Sequence, residues 1–255
     1  MIISHSRKFI FIHLEKCGGT SVETALEPYL AWDDLILGST DYGEGYQALL
    51  YRKYNLEYVQ KNMLWKHSDA NDIYRYLGRK KWNEYKKIVV VRNPIDLMQS
   101  LYYFSEKAIR YHTGKINDNT WKQWVINNSY PDNWPYVEKY VQAYIESKVR
   151  GKGFDGFVSI LLDGDHNFTK PQLKRIKSNP FFSRVDKIID LSQLDYRWDE
   201  ITNFIGISEP VSFYKLNVSE RDYNIRMSEE TEKRIRKHFA HDFRYMQYFT
   251  NVQWQ

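Results

Sequence analysis

The chain has 255 residues, which is enough for one large domain or two small ones with a sizeable buried core. Lys and Arg exceed Asp and Glu by 37 − 32 = 5, a modest excess that suits an anionic ligand but falls short of the basic clusters of a duplex-binding protein. The one cysteine, Cys17, excludes an internal disulfide framework and argues against a thiolate metal site.

The start of the chain, MIISHSRKFI, lacks the apolar core of a secretory signal peptide, and no segment is as long and apolar as a membrane span. A single cysteine also fits a reducing compartment. We therefore expect a cytoplasmic protein that has no membrane span and no nucleic-acid partner.

The first predicted strand is KFIFIH, residues 8–13, an apolar run suited to a buried position in a sheet. After a glycine turn, TSVETALEPYL has helical spacing, with Thr20 or Ser21 as the N-cap and Pro28 ending the helix. This order places the turn at the carboxyl end of a strand.

The segment HSDANDIYRYLG repeats the helix signals, with Ser68 or Asp69 as the N-cap and Gly78 as the C-terminal stop. KKIVVVRNPIDLMQSLYYF then predicts a second buried strand that runs directly into a helix, with Pro94 and Asp96 in the first turn of that helix.

Further along, DKIIDLSQL is a third predicted strand, DYRWDEITNFIG a helix, and a last helix begins at Ser228. Strands that alternate with helices predict an α/β fold with a central, mostly parallel sheet. Residues from about 105 to 185 are less regular and aromatic-rich, and we interpret them as a helical insertion and a candidate acceptor-binding region. Residues 1–255 are interpreted as one domain.

The glycine turn after the first strand is a candidate anion site. In a parallel sheet, ligands bind beyond the carboxyl ends of strands, where the following helix points its positive N-terminus. Backbone amides, hydroxyls and one lysine are available there, from six residues: Lys16, Cys17, Gly18, Gly19, Thr20 and Ser21. The alternative is an ordinary tight turn before a capped helix. The lysine precedes the glycines, unlike in a Walker loop, and no Gly-x-Gly-x-x-Gly is present.

The second strand-to-helix step, VVVRNPIDLMQS, carries a further candidate phosphate ligand. It places Arg92 at the end of a buried strand and Ser100 in the following helix. An arginine in this place can form a two-pronged contact with a phosphate group.

The two motifs FIHLEKCGGTS and VVVRNPIDLMQS, in this order, resemble the PAPS-dependent sulfotransferases, in the carbohydrate O-sulfotransferase branch that includes the heparan sulfate 2-O enzyme. The resemblance implies a P-loop-like, three-layer fold with PAPS (3′-phosphoadenosine 5′-phosphosulfate) as co-substrate. It further implies that the loop from Lys16 to Ser21 binds the 5′-phosphosulfate, that Arg92 and Ser100 bind the 3′-phosphate, and that Ser219 and Arg221 line the cofactor pocket.

The implied acceptor is a hydroxyl group of a glycan or a small molecule. Within the first motif the chain departs from the family pattern at two positions, with Cys17 where Thr is expected and Glu15 where Pro is expected.

In this chemistry, charge builds on the oxygen that leaves the sulfuryl group, and Lys16 with the loop amides would stabilise it without a metal ion. The acceptor hydroxyl must lose a proton, and His67 is the candidate base because it lies in a motif-like segment, WKHSDANDIYRYLG. Glu15 is the reserve candidate. His13 lies inside the first predicted strand, and we interpret it as a buried structural residue.

Two other functions remain open from the sequence. One is a P-loop kinase-like phosphotransferase with Asp190 as its metal ligand, which would depend on magnesium. The other is a non-enzymatic protein that binds RNA or a polyanionic glycan through its basic and aromatic side chains, with steep salt dependence and no turnover.

Overall fold

The structure is a computed structural model that describes residues 1–37, 64–113, 139–164, 166, 169–177, 185–216 and 225–251. Its centre is a five-stranded sheet with the order β3-β1-β2-β4-β5. The strands are β1 (Ile2–Ser4), β2 (Phe9–Ile12), β3 (Leu35–Ile36), β4 (Lys86–Val91) and β5 (Lys187–Asp190).

The three strands predicted from the sequence, β2, β4 and β5, form the parallel part of the sheet. Every residue of β2 is buried, as are the last five of β4, of which Lys87 is charged and the other four are apolar. Burial on both faces of the sheet explains these apolar runs. Since the strands are parallel, the segments after Ile12, Val91 and Asp190 leave the sheet at the same edge. The strands β1 and β3 were not predicted, and both pair antiparallel at the other side of the sheet.

The described residues form ten α-helices. They are α1 (Gly19–Leu26), α2 (Ala70–Glu84), α3 (Pro94–Thr113), α4 (Lys139–Val149), α5 (Gly153–Asp163), α6 (Gln172–Ile176), α7 (Trp198–Phe204), α8 (Glu229–His238), α9 (Ala240–Tyr245) and α10 (Gln247–Thr250). Of these helices in the described ranges, none combines the length and the apolar character needed to cross a bilayer.

The chain divides into two compact units. The sheet unit comprises Met1–Arg92, Pro171–Val218 and Arg244–Gln255, and the helical unit comprises Asn93–Lys170 and Ser219–Phe243. The interpretation of the whole chain as a single domain stays a prediction.

The helical unit contains an aromatic core in which Tyr102, Tyr144 and Phe157 are buried. The ring of Tyr102 lies 4.7 Å from that of Tyr144 and 5.2 Å from that of Phe157. Part of the predicted aromatic-rich insertion is therefore a packed helical unit. The bounds of the insertion, from about 105 to 185, stay a prediction.

The helix ends differ from the sequence signals in two places. The N-cap of α1 is Gly18, not Thr20 or Ser21. Asp69, one of the two predicted N-caps of α2, is confirmed. The predicted stop at Gly78 was wrong, because the backbone only kinks there, with a φ of 73°, and helical turns continue to Glu84. The predicted start of the last long helix is confirmed, since the Ser228 hydroxyl caps α8.

Candidate active site

The loop between β2 and α1 has the backbone of a strand-to-helix anion site. Lys16 and Gly18 both have positive φ, 58° and 75°, so the chain turns sharply before α1 begins at Gly19. Within the described part of the chain, no side chain caps α1, and its first turn has no acidic residue. The partial positive charge of the helix N-terminus is therefore available to an anion.

Neighbouring side chains leave no room for a Cβ at either glycine of this loop. Gly18 lies in the left-handed region, and a Cβ there would come 2.7 Å from Cδ1 of Leu191. A Cβ on Gly19 would lie 2.1 to 2.5 Å from three atoms of the His13 imidazole. The glycines thus allow α1 to start directly against that ring.

Arg92 connects the two sequence motifs. Its Nη1 donates a hydrogen bond of 2.8 Å to the carbonyl oxygen of Lys16, 76 residues away in sequence. The residue is only 6% exposed, and its Nε is buried without a hydrogen-bond partner in the described ranges. A buried N–H donor of this kind is costly unless an acceptor reaches it. Ser100 is buried in the helical unit, and its pairing with Arg92 stays a prediction.

The candidate base His67 is held against the same loop. Its Nδ1 lies 3.0 Å from the carbonyl oxygen of His13, and because a carbonyl only accepts, Nδ1 carries the proton and Nε2 is the acceptor. The two imidazoles meet edge to face at 4.6 Å. Burial, with a smaller effect of His13, lowers the pKa of His67 to about 2, so the ring is neutral near pH 7.

His13 is buried, as expected, and its Nδ1 lies 2.6 Å from Oε1 of Glu23. Burial lowers the pKa of His13 to about 4, although the nearby carboxylate of Glu23 opposes this. Burial would raise the pKa of Glu23 itself, but the amino group of Met1 and His13 hold it below its usual value. Glu23 did not stand out in the sequence, because it occupies an ordinary position of α1.

Glu15 is occupied by an ion pair with a buried arginine. Arg175 donates from Nη1 to Glu15, from Nε to Asp69 at 2.6 Å, and from Nη2 to the carbonyl oxygen of His67 at 2.7 Å. Burial raises the pKa of Glu15, and Arg175 opposes that shift. The structure therefore gives the unexpected carboxylate a partner, whereas a chemical role for Glu15 stays a prediction.

A second buried side chain of α6 contacts the strand end. The side-chain amide of Gln172 accepts from the Arg92 backbone N–H at 2.9 Å and donates to the Arg92 carbonyl at 2.6 Å. The Cys17 sulfur lies 3.6 Å from Oε1 of Gln172, and burial raises the pKa of the thiol, so it is neutral at physiological pH. The only sequence signal for α6 is QLKRI after Pro171, with two polar residues one helical turn apart.

A comparison with models of known protein families decides which family the chain belongs to. A model described as the sulfotransferase family matches residues 1–249. The chain belongs to the sulfotransferase family. It is therefore an enzyme that transfers sulfate, with a hydroxyl-bearing acceptor implied. Neither the curated proteins nor the solved structures compared with the chain contained a match.

The other candidate site residues of this sulfotransferase are partly outside the described ranges. The Ser21 hydroxyl accepts a hydrogen bond of 2.9 Å from the Leu216 backbone, and Asp190 caps the turn after β5 through Ser192. Ser219 and Arg221 lie outside the described residues. Among the residues that are described, no group of three or more His, Cys, Asp or Glu side chains could hold a metal ion.

Proposed function

We propose that this sulfotransferase moves the sulfuryl group from PAPS to a hydroxyl of a carbohydrate. The observation that carries the proposal is the hydrogen bond from Arg92 to the Lys16 carbonyl, which joins the two phosphate-binding motifs at one edge of the sheet. The strand, the sharp loop and α1 also support a P-loop-like fold.

The residues present fit a donor with two anionic groups. The uncapped N-terminus of α1, together with Lys16, suits the 5′-phosphosulfate. The buried Nε of Arg92 is a donor for which a 3′-phosphate oxygen would be a strong acceptor. PAPS supplies the sulfuryl group and a phosphate leaving group, and Lys16 with the loop amides stabilises the charge that develops on the leaving oxygen.

His67 is the proposed general base. Its tautomer is fixed by the His13 carbonyl, so Nε2 has the lone pair that would accept the acceptor's hydroxyl proton. Burial keeps the pKa of the ring low, and an anionic donor bound beside it would raise that pKa toward the range that a general base needs. Glu15 fits this task less well, because its carboxylate is paired with Arg175.

The experiment is a thermal-shift titration of the protein with 3′-phosphoadenosine 5′-phosphate, followed by transfer of labelled sulfate from PAPS to a panel of glycans and small alcohols. Ligand at one hundred times its dissociation constant should raise the free energy of unfolding by about 2.7 kcal/mol. Stabilisation by ATP with magnesium and none by 3′-phosphoadenosine 5′-phosphate would contradict the proposal and favour a phosphotransferase. Labelling of small alcohols alone would contradict the carbohydrate assignment.

A further inference from the structure

The short helix α6 contributes two buried polar side chains, one turn apart, that reach the candidate site from behind. Gln172 is 2% exposed and Arg175 is 3% exposed, whereas Lys174 between them is exposed. Buried polar side chains are costly unless their hydrogen bonds are satisfied, so their presence on a five-residue helix calls for a reason.

Arg175 joins three separate segments through one guanidinium group. It contacts the loop between β2 and α1, here called the donor loop, at Glu15. It also contacts the N-cap of α2 at Asp69 and the backbone of His67. A guanidinium is planar and rigid, so these contacts fix the three segments relative to one another. Arg175 thus links the loop to the His67 backbone, beside the hydrogen bond between the His67 ring and the His13 carbonyl.

Gln172 acts at a different point. Its amide forms a two-way hydrogen-bonded pair with the backbone of Arg92, which continues the end of β4 as a neighbouring strand would. It also contacts the loop between β2 and α1, through the sulfur of Cys17. Gln172 therefore holds the backbone of Arg92 in place, and with it the starting point of the Arg92 side chain.

Both buried side chains of α6 contact the loop between β2 and α1. Glu15 pairs with Arg175, and Cys17 contacts Gln172. The loop and the two buried side chains of α6 thus form one arrangement.

We propose that Gln172 and Arg175 are positioning residues with separate tasks. Gln172 orients Arg92 toward the 3′-phosphate of the donor, and Arg175 holds His67 at a fixed distance from the donor loop. This inference rests on the proposed function, because it assigns donor binding to one side chain and proton transfer to the other.

The test compares the full-length parent protein with Gln172→Met, Arg175→Lys and, as a matched control, Lys174→Gln. Gln172→Met keeps the length of the side chain but loses both hydrogen bonds. Arg175→Lys keeps the buried charge but loses the planar group that reaches three acceptors. Lys174→Gln removes a charge from the exposed face of α6 and should change none of the measured quantities.

Calorimetry measures binding of 3′-phosphoadenosine 5′-phosphate and of adenosine 5′-phosphate, which differ only in the 3′-phosphate. For Gln172→Met, the first ligand should bind about tenfold more weakly and the second within about twofold of the parent. For Arg175→Lys, both ligands should bind within about twofold, while kcat with a glycan that the parent sulfates falls about tenfold to a hundredfold, because a displacement near 1 Å is enough for such a loss.

A nitrogen-15 spectrum of the histidine rings gives a readout that does not need an acceptor. In the parent, the His67 signal, assigned by its loss in His67→Gln, should show one tautomer with the proton on Nδ1. In Arg175→Lys that signal should change toward mixed tautomers, and in Gln172→Met it should not.

Several outcomes would overturn the proposal. If both variants weaken both ligands equally, or lose activity only in proportion to their folded fraction, α6 has a purely structural role. Should Arg175→Lys fail to fold, Asp69→Asn weakens one arm of the same contact by removing its charge, and it should change kcat and the His67 signal in the same direction but to a smaller extent. A parent protein that does not bind 3′-phosphoadenosine 5′-phosphate would overturn the proposed function as well, whereas a parent that binds it while the variants behave alike overturns only this inference.

Discussion

Substitution of Arg92 by alanine should separate the two contacts that this side chain makes. In the structure, Nη1 of Arg92 supports the donor loop through the Lys16 carbonyl, and the buried Nε is the donor assigned to the 3′-phosphate. Loss of the first contact affects every ligand of the loop. Loss of the second affects only ligands that carry a 3′-phosphate.

The magnitude follows from these two contacts. The hydrogen bond to the loop is worth about 1 kcal/mol, so adenosine 5′-phosphate should bind about fivefold more weakly to Arg92→Ala. The charge-assisted contact with the 3′-phosphate adds about 2 kcal/mol, so 3′-phosphoadenosine 5′-phosphate should weaken by about 150-fold in total. The selectivity between the ligands should therefore fall by about 30-fold.

Isothermal titration calorimetry at fixed ionic strength measures both dissociation constants. Arg75→Ala is the matched control, because Arg75 lies on α2 with its side chain 73% exposed and its removal changes the net charge equally. Equal weakening of both ligands in Arg92→Ala would show that the arginine only supports the loop. The assignment of the 3′-phosphate to Arg92 would then be wrong.

Three further predictions concern the histidines and the loop. His67→Gln should lower kcat by about 100- to 10,000-fold with unchanged binding of 3′-phosphoadenosine 5′-phosphate, and a folded variant with near-full turnover would remove His67 as the base. Gly19→Ala should lower the free energy of unfolding by about 1 to 3 kcal/mol in urea denaturation, because its Cβ would overlap the His13 ring. A folded Gly19→Ala variant as stable as the parent would contradict this reasoning. Because the pKa of His13 is lowered from 6.5 to about 4, the unfolded state binds more protons between these pH values, and His13 should contribute about 2 kcal/mol to the loss of stability from pH 7.5 to pH 5, beside the contributions of His67 and the Met1 amino group, whose pKa values burial also lowers. This loss should be smaller in His13→Gln, and an unchanged slope would refute it.

The parallel part of the sheet could be predicted from the sequence because each of its strands is a short apolar run followed directly by helix signals. The strands β1 and β3 could not, because they have three and two residues and pair antiparallel, so no periodicity develops. The predicted position of the N-cap of α1 was also wrong, and again the reason is local. Hydroxyl side chains at Thr20 and Ser21 suggested a cap, but the two glycines before them allow α1 to begin earlier, and Ser21 contacts the Leu216 backbone instead.

The placement of the loop and of Arg92 at one edge of the sheet could be predicted, because both lie directly after strands that pair in parallel. Arg175, Gln172 and Glu23 could not, because their contacts depend on which helix packs behind the loop. No local pattern in the sequence encodes that packing.

The charge balance of the site depends on the buried Arg175 behind the loop as well as on the two sequence motifs. Glu15 brings a negative charge close to a loop assigned to an anionic donor, which would weaken donor binding if the carboxylate were unpaired. Its ion pair with the buried Arg175 compensates for that charge. Because a buried arginine needs more than one acceptor, Arg175 also binds Asp69 and the His67 carbonyl. The same compensation that makes Glu15 tolerable therefore also fixes the candidate base, so the charge balance of the loop and the placement of His67 cannot vary independently in this chain.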